Sequence, residues 1–267
     1  VVIFRGKVLV LYKCIKNKYE GWVLPKGTVE KGEDYVKGLI ALGVNRVSMG
    51  VQSFDDGVLK FMNRRHDADT ARKAYGILEK AGIRNISIDL IFGLPQLSDQ
   101  QWKETLKNAL NISASGIPPK HISAYQLSVE PGSMLAKMVE NGLGHEASEE
   151  LCEHQYVMLC EALSEAGYHH YEISNFALPG YESRHNLSYW QDVPYLGFGS
   201  GAHSYWGECR YQNPARIEVY MEEVFQGNAM CHVEEKITEK SHMEEFCFLA
   251  LRTAAGISVR RFAAVFG

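Results

Sequence analysis

An aspartate stands in the middle of an apolar run that has the length of a buried strand. Asp89 lies in the sequence ISIDLIFGLP, residues 86–95, between aliphatic and aromatic side chains. A buried carboxylate needs a strong partner, because an ion loses its hydration when it leaves water. If the run is a strand of a barrel, a residue near its carboxyl end points toward the ligand-binding mouth. Asp89 is therefore either a ligand-binding carboxylate or a structural one that holds an amide or an arginine.

Two other polar side chains, one directly after a strand and one after a helix, are candidates for ligand binding. Gln52 directly follows the run VSMGV, residues 47–51. A carboxamide both donates and accepts hydrogen bonds, as recognition of a ribose hydroxyl or an adenine edge requires. Arg64, in the sequence NRRH, can bind a carboxylate or cap the preceding helix. The residue types alone leave both alternatives open.

The elements that must position these residues alternate between strand and helix. We predict strands over residues 45–51, 85–92, 121–129 and 168–174, and helices over residues 67–81, 98–113, 149–166, 214–225 and 238–254. Such alternation predicts an α/β fold with a mainly parallel sheet, buried on both faces. Residues 178–212, rich in Gly, Tyr and Asn, are predicted to be a loop, and residues 1–12 a β-hairpin around Arg5-Gly6-Lys7.

Composition excludes several classes of protein. The chain has 267 residues, 46% of them hydrophobic, and a formal net charge of −4. A slightly acidic globular chain has no basic field for nucleic acid, and no apolar run is long enough to span a membrane. The six cysteines are scattered: Cys14, Cys152, Cys160, Cys209, Cys231 and Cys247. We expect reduced thiols in a cytoplasmic protein, and neither a signal peptide nor a membrane segment.

The combination of motifs is far more specific than its parts. The relevant sequences are GVNRVSMGVQSF (43–54), NRRH (63–66), DLIFGLP (89–95), HISAYQL (121–127), YEISNF (171–176), HNLSYW (185–190) and YLGFGSGAHSY (195–205). Together they closely resemble the radical S-adenosylmethionine enzymes related to oxygen-independent coproporphyrinogen III oxidase. The last motifs look like the HemW branch of that family, the haem chaperones. The resemblance covers residues 39–267.

This resemblance implies a partial (β/α) barrel whose mouth holds S-adenosylmethionine against a 4Fe–4S cluster. By motif position, Gln52, Arg64 and Asp89 would contact the ribose and amino-acid portion of the cofactor. The cluster then reduces the sulfonium and releases a deoxyadenosyl radical. The HemW branch implies haem as a candidate cofactor and haem or coproporphyrinogen III as tetrapyrrole partner, with delivery to haem-requiring acceptor proteins. A haem would need an axial ligand, for which the candidates are His169, His170, His185 and His203.

The chain departs from the family in its cysteines. The family holds its cluster with C-x3-C-x2-C, and no cysteine pair here has that spacing, since Cys152 and Cys160, the nearest pair, are eight residues apart. We therefore assign no metal ligand and no catalytic residue. We expect the chain to lack the first βα units of the barrel, to bind S-adenosylmethionine weakly and to be inactive in radical chemistry.

The N-terminal segment resembles a different family. Residues 1–37, with Gly27 and Glu33 at the spacing of the first half of a Nudix box, look like the opening of a Nudix hydrolase. The second half should fall at residues 41–46, which read ALGVNR, so the metal-binding glutamate helix is missing. We predict three parts: a Nudix-like fragment (1–37), a partial radical S-adenosylmethionine barrel (38–176) and a HemW-like region with C-terminal helices (177–267). The two resemblances meet near residues 34–41.

Three functions follow from these observations. The first is a HemW-like protein of tetrapyrrole metabolism, which carries haem or resembles the oxidase. The second is a non-catalytic hybrid that acts as a binding module, and the third is a Nudix hydrolase. A sheet without its first strands also exposes the edge strand 45–51. We expect the hairpin of residues 1–12 to cover this edge, or the chain to self-associate through it.

Overall fold

A computed structural model describes residues 2–4, 7–9, 11–15, 19–23, 33–132, 134–142, 145–228 and 232–267. The chain divides into two compact units. One is residues 27–182, and the other combines residues 1–26 with residues 183–267.

Two β-hairpins open the chain. Strand β1 (Val2–Phe4) pairs antiparallel with β2 (Lys7–Leu9), and β3 (Leu11–Ile15) pairs antiparallel with β4 (Tyr19–Val23). The first hairpin lies where the turn signal predicted it. The likeness of residues 1–37 to a Nudix hydrolase stays a prediction, because Gly27, the first residue of the Nudix spacing, lies outside the described residues.

The unit of residues 27–182 holds the Asp89 strand. In chain order its elements are α1 (Glu33–Ala41), β5 (Arg46–Gln52), α2 (Asp56–Phe61), α3 (Ala68–Ala81), β6 (Asn85–Phe92), α4 (Asp99–Leu110), β7 (His121–Gln126), α5 (Met134–Glu140), α6 (Glu149–Glu165), β8 (His169–Glu172) and β9 (Asn175–Ala177). Helix α1 is continuous across residues 37 and 38, between which we predicted the boundary of the Nudix-like fragment and the partial barrel.

The strands form one five-stranded sheet in the order β5-β6-β7-β9-β8. Strands β5, β6 and β7 are parallel, as predicted, whereas β9 runs antiparallel to both β7 and β8. The predicted strand 168–174 is confirmed over His169–Glu172. The chain then reverses, and β9, which the sequence did not predict, lies between β7 and β8. At the other edge, β5 pairs only with β6 among the described strands.

The two faces of the sheet differ in chemistry. On β6 the side chains of Ile86, Ile88, Leu90 and Phe92 are buried and share one hydrophobic core with residues of α3, α4 and α6. Most of the alternate positions carry polar side chains, Ile91 being the exception on β6. The register places the polar ones side by side across the strands: Arg46, Ser48, Asn85, Ser87, Asp89, His121, Ser123 and Asn175. We call this the polar face. It positions the Asp89 carboxylate.

The helix boundaries follow local signals that the sequence shows. Asp67 caps α3 by accepting from the Thr70 N–H, and Ser98 forms a capping box with Gln101 at the start of α4. Gly82 ends α3 in the left-handed conformation. The predicted helices 67–81, 98–113 and 149–166 are thus confirmed to within a few residues.

The second unit holds the remaining elements. They are α7 (Arg184–Trp190), β10 (His203–Trp206), β11 (Cys209–Gln212), α8 (Ile217–Phe225), β12 (Val233–Lys236), α9 (Glu239–Leu251) and α10 (Val259–Phe266). Strands β10, β11 and β12 form an antiparallel sheet. The prediction of a loop over residues 178–212 was wrong, because α7, β10 and β11 lie within it. Within the described part of the chain, none of the helices has the length and apolarity needed to span a membrane.

Candidate cofactor-binding site

Asp89 lies on the polar face, near the carboxyl ends of β5 and β6. Its register neighbours are Gly50 on β5 and Ser123 on β7. The Ser48 hydroxyl donates to Asp89 Oδ1 over 3.1 Å. Burial raises the pKa of Asp89, whereas hydrogen bonds from Ser48 and Ser123 and the charge of Arg46 act to lower it. The site is therefore built around a half-buried carboxylate that is already hydrogen-bonded.

Gln52 reaches the same place through an irregularity of β5. The register between β5 and β6 shifts between Gly50 and Gln52, and Gln52 has a φ of 68°. A Cβ atom added to Gly50 would lie 2.6 Å from Gln52 Nε2, so the carboxamide lies over this glycine. Because Gly50 pairs with Asp89, the fold brings the Gln52 carboxamide and the Asp89 carboxylate to adjacent positions. Only a glycine leaves room for this arrangement.

Arg64 lies on an exposed turn after α2. The turn is a Schellman motif, in which Asn63 has a φ of 53° and the Arg64 N–H donates to the Leu59 carbonyl over 2.9 Å. His66, two residues on, bonds through Nε2 to the Val51 carbonyl, next to Gln52 in the chain. Arg64 thus caps the helix with its backbone. Its guanidinium has no ion pair with any described residue.

The loop that follows β6 is held by a residue that the sequence did not single out. Gln155 on α6 is fully buried, and its carboxamide accepts from the Gly93 N–H and donates to the Leu97 carbonyl. No local signal marks it, because a glutamine inside a helix is common and its partners lie about 60 residues earlier in the chain.

The sequence analysis also did not single out a buried histidine of the polar face. His121 is 1% exposed, with its Nδ1 2.8 Å from Ser87 Oγ and its Nε2 2.7 Å from the Tyr171 hydroxyl. Burial, aided by the charge of Arg46, lowers the pKa of His121 to about 3. The imidazole is therefore neutral at physiological pH. Arg46 is itself fixed by Asn85 Oδ1 at 3.0 Å.

Comparison with known proteins identifies the family. The sequence profile of the Radical SAM superfamily matches residues 7–109. The heme chaperone HemW of Bacillus subtilis is 36% identical over 225 residues, which are 84% of this chain and 58% of that protein. The heme chaperone HemW of Lactococcus lactis is 34% identical over 257 residues, 94% of this chain and 66% of that protein. The chain belongs to the HemW-type branch of the radical SAM superfamily.

The fold agrees with this assignment. The coproporphyrinogen III oxidase HemN from Escherichia coli, a radical SAM enzyme, superposes with a TM-score of 0.70 at 22% identity, covering 89% of this chain and 56% of that chain. The chain spans less than two thirds of the length of either HemW relative. The radical SAM profile includes residues 7–37, and the relatives are HemW proteins. None of these matches supports the Nudix resemblance of residues 1–37.

The four histidines proposed as haem ligands have different surroundings in this HemW-type chain. His170 stacks on Phe176 at a centroid distance of 4.2 Å, next to the exposed His169. His203 Nδ1 lies 3.0 Å from a Glu234 carboxylate oxygen. His185 is exposed, and its Nε2 lies 3.2 Å from the Tyr189 hydroxyl of the same helix. Of these four, His169 and His185 have neither ring stacking on a core residue nor an ion pair with any described residue.

The described side chains do not fit a 4Fe–4S cluster. Across the residues that the structure describes, no group of three or more His, Cys, Asp or Glu side chains is arranged to hold a metal ion. Burial raises the pKa of the Cys152 and Cys160 thiols, which disfavours the thiolate that iron requires. By contrast, the Asp89 carboxylate and the Gln52 carboxamide have the donors and acceptors that S-adenosylmethionine needs.

Proposed function

We propose that the chain binds S-adenosylmethionine on its polar face through Gln52, Arg64 and Asp89, in a tetrapyrrole-related role like that of its HemW relatives. The adjacency of the Asp89 carboxylate and the Gln52 carboxamide carries this proposal. These groups lie near the carboxyl ends of parallel strands, where α/β folds bind ligands.

Each residue has a part in binding the cofactor. The Asp89 carboxylate accepts hydrogen bonds from ribose hydroxyls, and the Gln52 carboxamide donates and accepts beside it. The exposed Arg64 guanidinium pairs with the carboxylate of the methionine portion. When bound, S-adenosylmethionine supplies a sulfonium whose reductive cleavage is the chemistry of the superfamily. The remaining polar side chains keep Asp89 in place, through Ser48 and Arg46.

Binding to this chain alone is expected to be weak. In the family the cluster anchors the methionine end of the cofactor, and the described residues hold no cluster ligands. We expect a dissociation constant in the millimolar range, about −4 kcal/mol. Radical catalysis, including coproporphyrinogen oxidase-like activity, is therefore not assigned to this chain alone. A binding role in the cytoplasm, with haem passed to haem-requiring acceptor proteins, fits it better than catalysis does.

A ligand-observed NMR titration with S-adenosylmethionine tests the cofactor site. Asp89→Asn should weaken binding about tenfold or more, because a hydrogen bond to a charged acceptor contributes about 1.5–3 kcal/mol. Asp69→Asn is the matched control, since this carboxylate on α3 is largely exposed and should leave the affinity unchanged. Equal affinities of the Asp89→Asn variant and the unaltered chain would remove the basis of the proposal.

A haem titration followed by the Soret band tests the tetrapyrrole role. We expect His185→Ala to weaken haem binding and His203→Ala to leave it unchanged, because only His203 is held by a carboxylate. Saturable binding at one haem per chain supports the role. Absence of saturable binding, or identical behaviour of both variants and the unaltered chain, contradicts it.

A further inference from the structure

The loop after β6 connects the Asp89 strand to α4 and lies at the carboxyl end of the sheet. It comprises residues 93–97, four residues beyond Asp89. Gly93 has a φ of 72°, and Leu94 and Leu97 are buried. A Cβ atom on Gly93 would lie 3.0 Å from Cys152 Sγ and 3.0 Å from Gln126 Cγ. The loop therefore packs tightly against α6 and the end of β7.

One side chain of α6 satisfies the backbone of this loop at both ends. Gln155 Oε1 accepts from the Gly93 N–H at 2.9 Å, and Gln155 Nε2 donates to the Leu97 carbonyl at 2.8 Å. The Gln155 backbone carbonyl also accepts from the Trp102 indole N–H at 2.9 Å. Both ends of a fully buried carboxamide are thus used, and its partners are backbone groups that water cannot reach.

The loop leads to α4, which contacts the N-cap of the helix that follows Gln52. Ser98, the N-cap of α4, is paired with Gln101 in a capping box. Gln101 Nε2 donates to Asp55 Oδ2 at 3.0 Å, and Asp55 caps the helix that follows β5. Contacts therefore run from Gln155 through the β6 loop to the β5 loop. These two loops follow the strands that carry Asp89 and Gln52.

We infer that Gln155 is a positioning residue that fixes the loops around the S-adenosylmethionine site without touching the cofactor. This inference rests on the proposed function. The residue type suits the task, because a carboxamide offers one donor and one acceptor without a charge. Leucine at this position leaves the Gly93 N–H and the Leu97 carbonyl unpaired. An ionised glutamate keeps the acceptor and loses the donor, whereas a protonated glutamate supplies both.

The test compares the unaltered chain with Gln155→Leu, Gln155→Glu and the control Gln100→Leu, which replaces an exposed glutamine on α4. S-adenosylmethionine affinity is measured at about pH 7.5 and pH 5.5, always relative to the unaltered chain at the same pH. Unfolding in urea and deuterium uptake of residues 90–98 are measured in parallel. Uptake reports on the loop in the absence of any ligand.

Gln155→Leu should weaken binding about tenfold and increase deuterium uptake in residues 90–98, whereas Gln100→Leu should change neither. Gln155→Glu should bind poorly at pH 7.5 and recover to within about threefold at pH 5.5, because burial raises the pKa of a carboxyl group at this position. A role in stability alone predicts a lower free energy of unfolding in urea, with the S-adenosylmethionine affinity of the folded variant unchanged at both pH values. If Gln155→Leu does not fold, the Gln155→Glu comparison decides.

Two outcomes overturn the inference and are distinguishable. If the unaltered chain binds and neither Gln155 variant is weaker at either pH, the positioning role is wrong while the proposed function stands. If the unaltered chain does not bind S-adenosylmethionine at millimolar concentration, the proposed function fails, and the positioning role fails with it.

Discussion

The buried His121 predicts a specific dependence of stability on pH. Its ring is 1% exposed and bonded at both nitrogens, to Ser87 and Tyr171. Burial lowers its pKa in the folded chain to about 3, against 6.5 in the unfolded chain. The unfolded chain therefore binds more protons below about pH 6.5. Stability falls as the pH drops below that value, and the loss is complete near the folded pKa.

The size of the effect follows from these two pKa values. At pH 5 the unfolded His121 is almost fully protonated, and the folded one is almost fully neutral. The resulting loss of unfolding free energy between pH 8 and pH 5 is about 2 kcal/mol. Other groups titrate in this range as well, so a matched variant is needed to isolate this one.

Urea denaturation at pH 8 and pH 5 measures the effect in three proteins. His121→Gln removes the titrating ring and keeps a donor and an acceptor, whereas His145→Gln removes an exposed histidine. The unaltered chain and His145→Gln should each lose about 2 kcal/mol more than His121→Gln does over this interval. Equal losses in all three proteins would refute the reasoning, because His121 would then titrate alike in the folded and unfolded chains.

Three further predictions concern the site and the fold. Gly50→Ala should lower S-adenosylmethionine affinity severalfold with less than about 1 kcal/mol change in stability, because the new methyl would lie 2.6 Å from the movable Gln52 Nε2; titration and urea denaturation check this. Gly93→Ala should cost about 1–3 kcal/mol more unfolding free energy than Gly116→Ala in urea. Both glycines have a φ above 70°, but only at Gly93 would the methyl meet the Cys152 sulfur at 3.0 Å. After anaerobic reconstitution with iron and sulfide, the chain should hold no stoichiometric 4Fe–4S cluster, and four irons per chain with cluster absorption would contradict this.

Self-association through the edge of the sheet stays a prediction. Strand β5 pairs only with β6 among the described strands, so its outer edge offers unpaired backbone groups. Sedimentation at increasing concentration should show dimers or larger species if this edge associates. A monomer throughout would mean that the edge is protected in another way.

Local signals in the sequence were enough to predict most elements of the 27–182 unit. Asp67 and Ser98 begin helices because their side chains accept from N–H groups one turn later, and Gly82 ends one because it adopts a positive φ. Asp89 and Gln52 could also be identified from the sequence, because each is a polar residue within or directly after an apolar run. Each signal depends on neighbours within a few residues, so it can be read without the fold.

The tertiary structure decided what depends on distant partners. Strand β9 is three residues long, and its place between β7 and β8 depends on pairing with His121 more than 50 positions away. The Gln155 side chain matters because the loop at Gly93 is packed against it, and His121 is neutral because the sheet buries it beside Arg46. The sequence alone determined the residue types and the family motifs. Only the fold decided which polar groups lose contact with water, and burial is what gives Gln155 and His121 properties that an exposed glutamine or histidine lacks.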